Sequence, residues 1–259
     1  MFDFQLMKRL KSEGKTADEV ALIMQVGRTT LYRKGWSKLP FNRQSICIYD
    51  KDFDYFKNIN TSNKAYVLGF ILADGSITNT GNLRVEVNEK DIEVLSFIKS
   101  EISPQQSLKR IERERSKDNY KWTSITYLFQ CKYKGFVNDL EQWNVVPGKT
   151  YKKQTVPNIN SKYLPDFIRG YFDGDGSVWL QNNNNVRVNF TGEYNLLEEI
   201  SNLLFKKAGF NKLYSPKQKE HQQDAVLTIC SKYNLKAFKN YIYNNNFSLK
   251  RKRERFNNL

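Results

Sequence analysis

Histidine and cysteine are nearly missing from this chain. One histidine, His221, and three cysteines, Cys47, Cys131 and Cys230, are spread over 259 residues. An odd, scattered set of three thiols builds neither a disulfide framework nor a zinc cluster, so a reducing, intracellular (cytoplasmic) setting is expected. Long apolar runs are also missing. None approaches the roughly 18 residues that span a bilayer, and the opening "MFDFQLMKRLKSEG" lacks the apolar core of a signal peptide. Acidic residues are in short supply: 27 Asp and Glu face 42 Lys and Arg, a net charge of +15. Such an excess on a mid-sized chain favours a polyanionic partner, most simply nucleic acid. His221 sits in the polar run "KQKEHQQD", suited to solvent or nucleic acid rather than to proton transfer. No other side chain stands out as a nucleophile, which leaves water for any hydrolysis.

What is present is a duplication. With 39% hydrophobic residues the chain can bury one large core or two modest ones. From Asp52 onward one order of elements is written twice. The apolar helix "NKAYVLGFILA" runs to Asp74-Gly75. An alternating hairpin follows, "SIT" and "NLRVEVNE", turning at Asn79–Asn82. "DIEVLSFIKSEI" has helical spacing, with Ile92, Leu95, Ile98 and Ile102 on one face. A second strand pair, "SLKRIERERS" and "TSITYLFQC", and a closing helix, "KGFVNDLEQWNV", complete the pass. The second pass reads "LPDFIRGYFDG" to Asp175-Gly176, then "SVWLQ" with "VRVNFTG", the helix "EYNLLEEISNLLFKKAG", "NKLYSP" with "AVLTICS", and "LKAFKNYIYNN". Cys131 and Cys230 fall at the same point of the two passes. A period near 100 residues is far too long for a solenoid and predicts two pseudo-symmetric α/β halves.

Each apolar helix carries small residues at i, i+4: Gly69 with Ala73, and Gly170 with Gly174. Such stripes let two helix backbones lie close. If they pack on each other, Asp74 and Asp175 emerge together, two like charges that a hard divalent cation would neutralise. Both stretches, "AYVLGFILADGSI" and "DFIRGYFDGDGSV", resemble the signature helix of the LAGLIDADG homing endonucleases in their single-chain, two-motif form. The resemblance covers Asp52 to Leu259. It implies an α/β (α+β) fold of duplicated αββαββα halves whose sheets form a DNA-binding saddle. It also implies a monomer that uses Mg²⁺ (with Mn²⁺ or Ca²⁺ able to substitute for binding) to hydrolyse both strands of a long duplex target across the minor groove. The family's metal-binding acids fall on Asp74 and Asp175. Its earlier acid is matched by Asp173 but replaced by Leu72 in the first motif. The family's lysine after each closing helix is matched by Lys149 in "VPGKTYKK" and, more loosely, by Lys250 or Lys252 in "SLKRKRERF", with Lys252 preferred.

Period-2 alternation agrees with a saddle, since it buries one sheet face and displays the other. The displayed sets are Ser76, Thr78, Arg84, Glu86 and Asn88 in the first half, and Ser177, Trp179, Gln181, Arg187, Asn189 and Thr191 in the second. Most are types that hydrogen-bond base edges and phosphates, and a two-stranded ribbon fits the major groove.

The first 36 residues read separately, as a small all-α block. Thr16 with Glu19 forms a capping box, Val20, Ala21 and Met24 give a buried face, and Gly27 allows a turn before "RTTLYRK". The block resembles the helix-turn-helix of resolvase-type recombinases, with Arg28, Thr29, Thr30, Tyr32 and Arg33 as the implied DNA contacts. The expected organisation is therefore a helix-turn-helix arm at 1–36, a linker at 37–51, a first repeat at 52–150 and a second at 151–259. A maturase assisting intron splicing and a non-cutting DNA-binding regulator are the rival readings on the same scaffold. Retention of both acids speaks against the regulator. The chain opens on neither Cys nor Ser and closes without a His-Asn pair, as expected of a free-standing enzyme rather than an intein.

Overall fold

In the computed structural model, the described residues are 2–13, 15–39, 52–118, 120–149, 152–180, 186–218, 224–243 and 246–258. The chain divides into two units, Met1–Asp50 and Lys51–Leu259. Most of the expected linker lies outside the described residues.

The first unit is three short helices, α1 (Phe4–Ser12), α2 (Ala17–Ile23) and α3 (Arg28–Arg33), around a core of Met7, Leu10, Val20, Leu31 and Trp36. The capping box forms as read: the Thr16 hydroxyl accepts from the Glu19 amide, and the Thr16 amide donates back to the Glu19 carboxylate at 2.7 Å. The turn differs from expectation. Gly27 caps α3 at φ −69°, open to any residue, while Gln25 takes the left-handed conformation at φ 51°. The sharp reversal therefore falls two residues earlier than the glycine suggests.

The second unit holds the duplication. Its first half comprises α4 (Ser62–Asp74), β1 (Gly75–Ile77), β2 (Asn82–Asn88), α5 (Ile92–Ile102), β3 (Lys109–Lys117), β4 (Tyr120–Lys132) and α6 (Gly135–Glu141). The second half comprises α7 (Leu164–Asp175), β5 (Gly176–Leu180), β6 (Val186–Gly192), α8 (Tyr194–Lys207), β7 (Lys217–Gln218), β8 (Ala225–Ile229) and α9 (Lys232–Ile242), followed by α10 (Lys250–Glu254). Both sheets are antiparallel with the same order, β1-β2-β4-β3 and β5-β6-β8-β7. The αββαββα halves of the sequence reading are present.

Four details depart from it. "NKLYSP" forms no strand, and β7 is only the two residues that follow it. Ile92 opens α5 on the exposed side, and Val94 joins Leu95, Ile98 and Ile102 inside. The helix α10 was not anticipated. The two cysteines are not equivalent: Cys131 pairs with Leu83, and the matching partner of Val188 is Ile229, one residue before Cys230. A shift of one residue in a strand moves a side chain to the opposite face, so Cys131 is buried and Cys230 exposed.

The halves meet where α4 crosses α7. A Cβ built on Gly69 would stand 2.1 Å from the carbonyl oxygen of Phe167, and one on Gly170 2.0 Å from that of Tyr66. Backbone touches backbone at both points, and only glycine permits it. The prediction is direct. Gly170→Ala forces the helices apart and should cost about 3 kcal/mol, a fall in Tm of roughly 6–12 °C by thermal melting. An unchanged Tm would show that the crossing is looser than described.

Candidate active site and nucleic-acid interface

The close crossing places two helix C-termini side by side. Asp74 and Asp175 are the last residues of α4 and α7, and each chain turns straight into a strand through the next glycine. A Cβ on Gly174 would lie 2.4 Å from Cβ of Ala73 and 3.5 Å from Oδ2 of Asp74, so the Asp74 carboxylate sits against the end of α7. Two carboxylates and two helix ends, each carrying orphan carbonyls and the negative pole of its dipole, concentrate negative charge at one spot.

Two lysines answer it in parallel ways. The Lys149 ammonium donates to the carbonyls of Ile71 (2.8 Å), Ala73 (2.7 Å) and Leu72. The Lys252 ammonium donates to those of Phe172 (2.8 Å), Asp173 (2.7 Å), Gly174 (3.2 Å) and Gly176 (2.6 Å). Ile71, Leu72 and Ala73 are the counterparts of Phe172, Asp173 and Gly174 in the duplicated order. Lys252 thus occupies the place that Lys149 holds in the first half. Lys250 does not: it is exposed and faces Glu254 at 3.8 Å.

Crowding governs the protonation of all four groups. Burial lowers Lys149 to about 8 against the pull of Asp175 and Asp74, and lowers Lys252 likewise to about 8. Burial raises Asp74, with Lys252 and Lys149 opposing. Asp175 rises to about 6, from burial first and the Asp74 charge second. By surface area Asp74 is exposed and Asp175 half-buried. Asp175 reaches solvent through a recess rather than from a convex surface. That recess, of about 390 Å³, also exposes Lys149, Lys152, Lys153, Glu193 and Asp224 beside Asp175. Lys152 and Lys153 went unnoticed in the sequence although they directly follow "GKTY".

Among the described residues, no group of three or more His, Cys, Asp or Glu surrounds a point that could hold a metal ion. The candidate donor set is the Asp74 and Asp175 pair. Its all-oxygen chemistry and its two carboxyls raised by burial fit a hard divalent cation completed by outside oxygens.

The displayed sheet faces lie beyond this centre. Ser76, Thr78, Arg84 and Asn88 are exposed in the first half, as are Trp179 and Arg187 in the second, where they pair across β5 and β6. Ser177, Asn189 and Thr191 are half-buried, and Gln181 lies outside the described residues. Ser177 accepts from the Trp179 indole at 2.8 Å. Glu86 is committed within the protein. Arg113 forms a two-point ion pair with it, the Thr126 hydroxyl donates at 2.7 Å, and these bonds hold its carboxyl below the usual range. Its charge is therefore spent on orienting Arg113.

Arg113 belongs to the largest feature that sequence reasoning missed. Past the end of β2, at the Asn88–Thr126 pair, β3 and β4 continue alone to the Lys117–Tyr120 pair. These further pairs make an arm on the order of 20 Å. One face of the arm presents Arg113, Arg115 and Lys117 opposite Ser124, Trp122 and Tyr120. The two aromatic rings stack at 5.8 Å and are 41% and 70% exposed for Trp122 and Tyr120. The alternating "RERSK" was the available signal. The second half has no comparable arm among the described residues, since β7 is two residues long.

In the first unit, Arg28, Thr29, Tyr32 and Arg33 are exposed on α3 and Thr30 is half-buried. Arg28 pairs with Asp18 at 3.2 Å and lies over the Tyr32 ring.

The raised carboxyl gives a pH prediction. Because Asp175 titrates near 6 in the folded chain and near 3.8 when free, the native state binds the extra proton between those values. Stability from this group is present below about 4 and lost as pH rises through about 6. In protein stripped of divalent cations with EDTA, Asp175→Asn should raise Tm at pH 7 by about 2–4 °C. The gain should vanish near pH 4. A variant that melts lower at pH 7 would contradict this electrostatic reading.

Known proteins bear on the fold. A family model described as a LAGLIDADG-like domain matches residues 163–243. The homing endonuclease I-WcaI, solved bound to its DNA recognition sequence, superposes with a TM-score of 0.55 at 17% identity, covering 85% of this chain and 96% of that one. Among curated proteins, the probable translation initiation factor IF-2 of Thermococcus kodakarensis is 30% identical over 196 residues, and that of Methanocaldococcus jannaschii 28% over 202. These alignments take in 73% and 75% of this chain but span only 15% and 16% of those two proteins. No helix among the described residues is long and apolar enough to cross a membrane. Residues 163–243 are a LAGLIDADG-like domain, and the duplicated body has the fold of the LAGLIDADG homing endonucleases.

Proposed function

We propose that this chain is a site-specific DNA endonuclease that hydrolyses one phosphodiester in each strand of a long duplex target. The observation that carries the reading is the doubled constellation: one carboxylate at each helix end and one lysine over each set of helix carbonyls, at the junction of two halves with basic, hydrogen-bonding sheet faces. A regulator that only binds DNA gains nothing from two poorly hydrated acids, which cost stability.

Asp74 and Asp175 would hold the divalent cation, Mg²⁺ in this reading, which supplies charge stabilisation at the attacking and leaving oxygens when bound. Water is the nucleophile. Its oxygen forms the new bond to phosphorus and gives up a proton, the P–O bond to the leaving oxygen breaks, and that oxygen takes up a proton. Lys149 and Lys252 keep the two acids aligned by fixing the helix ends. With their pKa values drawn to about 8, they can also exchange protons with nearby water near neutral pH, as acid–base groups must. The displayed residues, joined by Arg113, Arg115, Lys117 and Trp122 of the β3–β4 arm, face the duplex. The first unit adds a groove-reading helix through Arg28, Thr29, Thr30, Tyr32 and Arg33. The protein acts as a monomer, because one chain contains both halves.

Incubation with a randomised duplex library and Mg²⁺, followed by sequencing of the ends, tests the proposal. Recurrent breaks at one long site are expected. Asp74→Asn and Asp175→Asn should each abolish cutting while retaining binding, since each removes a charge and little volume. Deletion of residues 1–50 should weaken binding and leave the scissile bonds in place. Undiminished cutting by either Asn variant would refute the site, and displaced cuts after the deletion would refute the division of labour.

A further inference from the structure

The chemistry just described leaves the buried acid Asp173 unused. Asp173 stands two residues before Asp175 and is 1% exposed. Its Oδ2 accepts from the Tyr66 hydroxyl and from the Leu249 amide, both at 2.8 Å, while its Oδ1 is buried with no hydrogen-bond partner. Tyr66 lies on α4, in the other half. Leu249 is the capping residue immediately before α10, the helix that carries Lys252. One carboxylate oxygen therefore ties the first-half helix to the base of the second-half lysine.

Two neighbours on α7 tighten the same segment. Arg169 donates to the carbonyls of Phe247 (2.9 Å) and Ile242 (2.8 Å) and pairs with Asp166 at 2.7 Å, and Asn246 donates to Asp166 at 3.1 Å. Ile242, Asn246, Phe247 and Leu249 are thus fastened to α7 by Asp166, Arg169 and Asp173. Their counterparts on α4 are Ala65, Leu68 and Leu72, all apolar and buried. Among the described residues, no side chain of α4 fastens the segment before Lys149 in this way. The Lys149 carbonyl accepts from Gln154 at 3.2 Å, and Lys149 follows Gly148 at φ 68°. The ammonium contacts of the two lysines are alike, and the scaffolds behind them are not.

We propose that Asp173 is a positioning residue for Lys252 alone, so that loosening it slows cleavage of one DNA strand and spares the other. This rests on the function proposed above. The two halves are then equal in chemistry but unequal in support. A double-strand cutter of this build becomes a strand-selective nicking enzyme through one buried position outside the metal-binding pair.

The test uses the full chain on a supercoiled plasmid carrying the selected target, with each strand labelled separately. Asp173→Leu installs the first half's residue. It should slow one strand about tenfold or more, a barrier change of the size that lost alignment produces, while the other strand keeps its rate, so nicked circles accumulate. Asp173→Asn retains an acceptor for Leu249 and Tyr66 and should restore most of the balance. Tyr66→Phe removes one donor and almost no volume. It should shift the strand ratio in the same direction by less, and it gives the readout should Asp173→Leu not fold. Hydrogen exchange supplies a measure independent of cutting: Asp173→Leu should speed exchange in α10 (Lys250–Glu254) while α9 stays protected. Equal slowing of both strands, or an unchanged ratio, overturns the strand-selective role. Unchanged exchange in α10 overturns the latch itself. A wild-type protein that cuts neither strand overturns the proposed endonuclease and the strand-selective role together, and exchange in α10 still decides the latch.

Discussion

Backbone contact between α4 and α7 is the constraint on which the rest depends. At Gly69 and Gly170 the helices approach so closely that a single added carbon on either would overlap the other's carbonyl oxygen. That approach makes one core from two repeats, and it aligns the helix ends rather than their middles. Everything of chemical interest is then attached to those ends: the terminal acids, the carbonyls without helical partners, and the strands that leave for the two sheets.

Such a junction is electrostatically expensive. Helix C-termini repel carboxylates, like charges repel each other, and burial raises both carboxyls. Lys149 and Lys252 offset part of this by capping the carbonyls, yet each loses hydration in doing so, which is why both titrate well below an ordinary lysine. The residual cost sits where a cation and a phosphate would relieve it. Stability given up at a functional centre is a general pattern. Here the compensation is visible in the apolar faces of α4 and α7 and, in the second half, in the network of Asp166, Arg169 and Asp173.

The parts of this arrangement that were legible in the sequence are those set by local pattern. Apolar helices ending in Asp-Gly, small residues at i, i+4 and period-2 strands are short-range signals, and their repetition revealed the halves. Lys149 and Lys252 were found by resemblance, but their grip on seven carbonyls depends on chain returning from 76 to 80 residues away, which no window detects. Glu86 looked like a displayed contact because its partner Arg113 lies 27 residues on. The cysteine match failed by one residue because register is decided by cross-strand pairing, not by position in a run. Asp173 was read only as the match to the family's earlier acid, and its tie to Tyr66 and Leu249 shows what it holds. Gln25 rather than Gly27 takes the strained turn conformation, a reminder that glycine permits such geometry without requiring it.

The claim that the crossing creates one shared cation site from Asp74 and Asp175 is the centre of this account. Calorimetric titration of Ca²⁺ into the DNA-free protein and into Asp74→Asn, Asp175→Asn and the double variant tests it most directly. The account predicts that each single variant weakens the binding seen in the wild type, and that the double variant loses it altogether. Binding of equal strength in the double variant would contradict it, because the cation would then be held elsewhere.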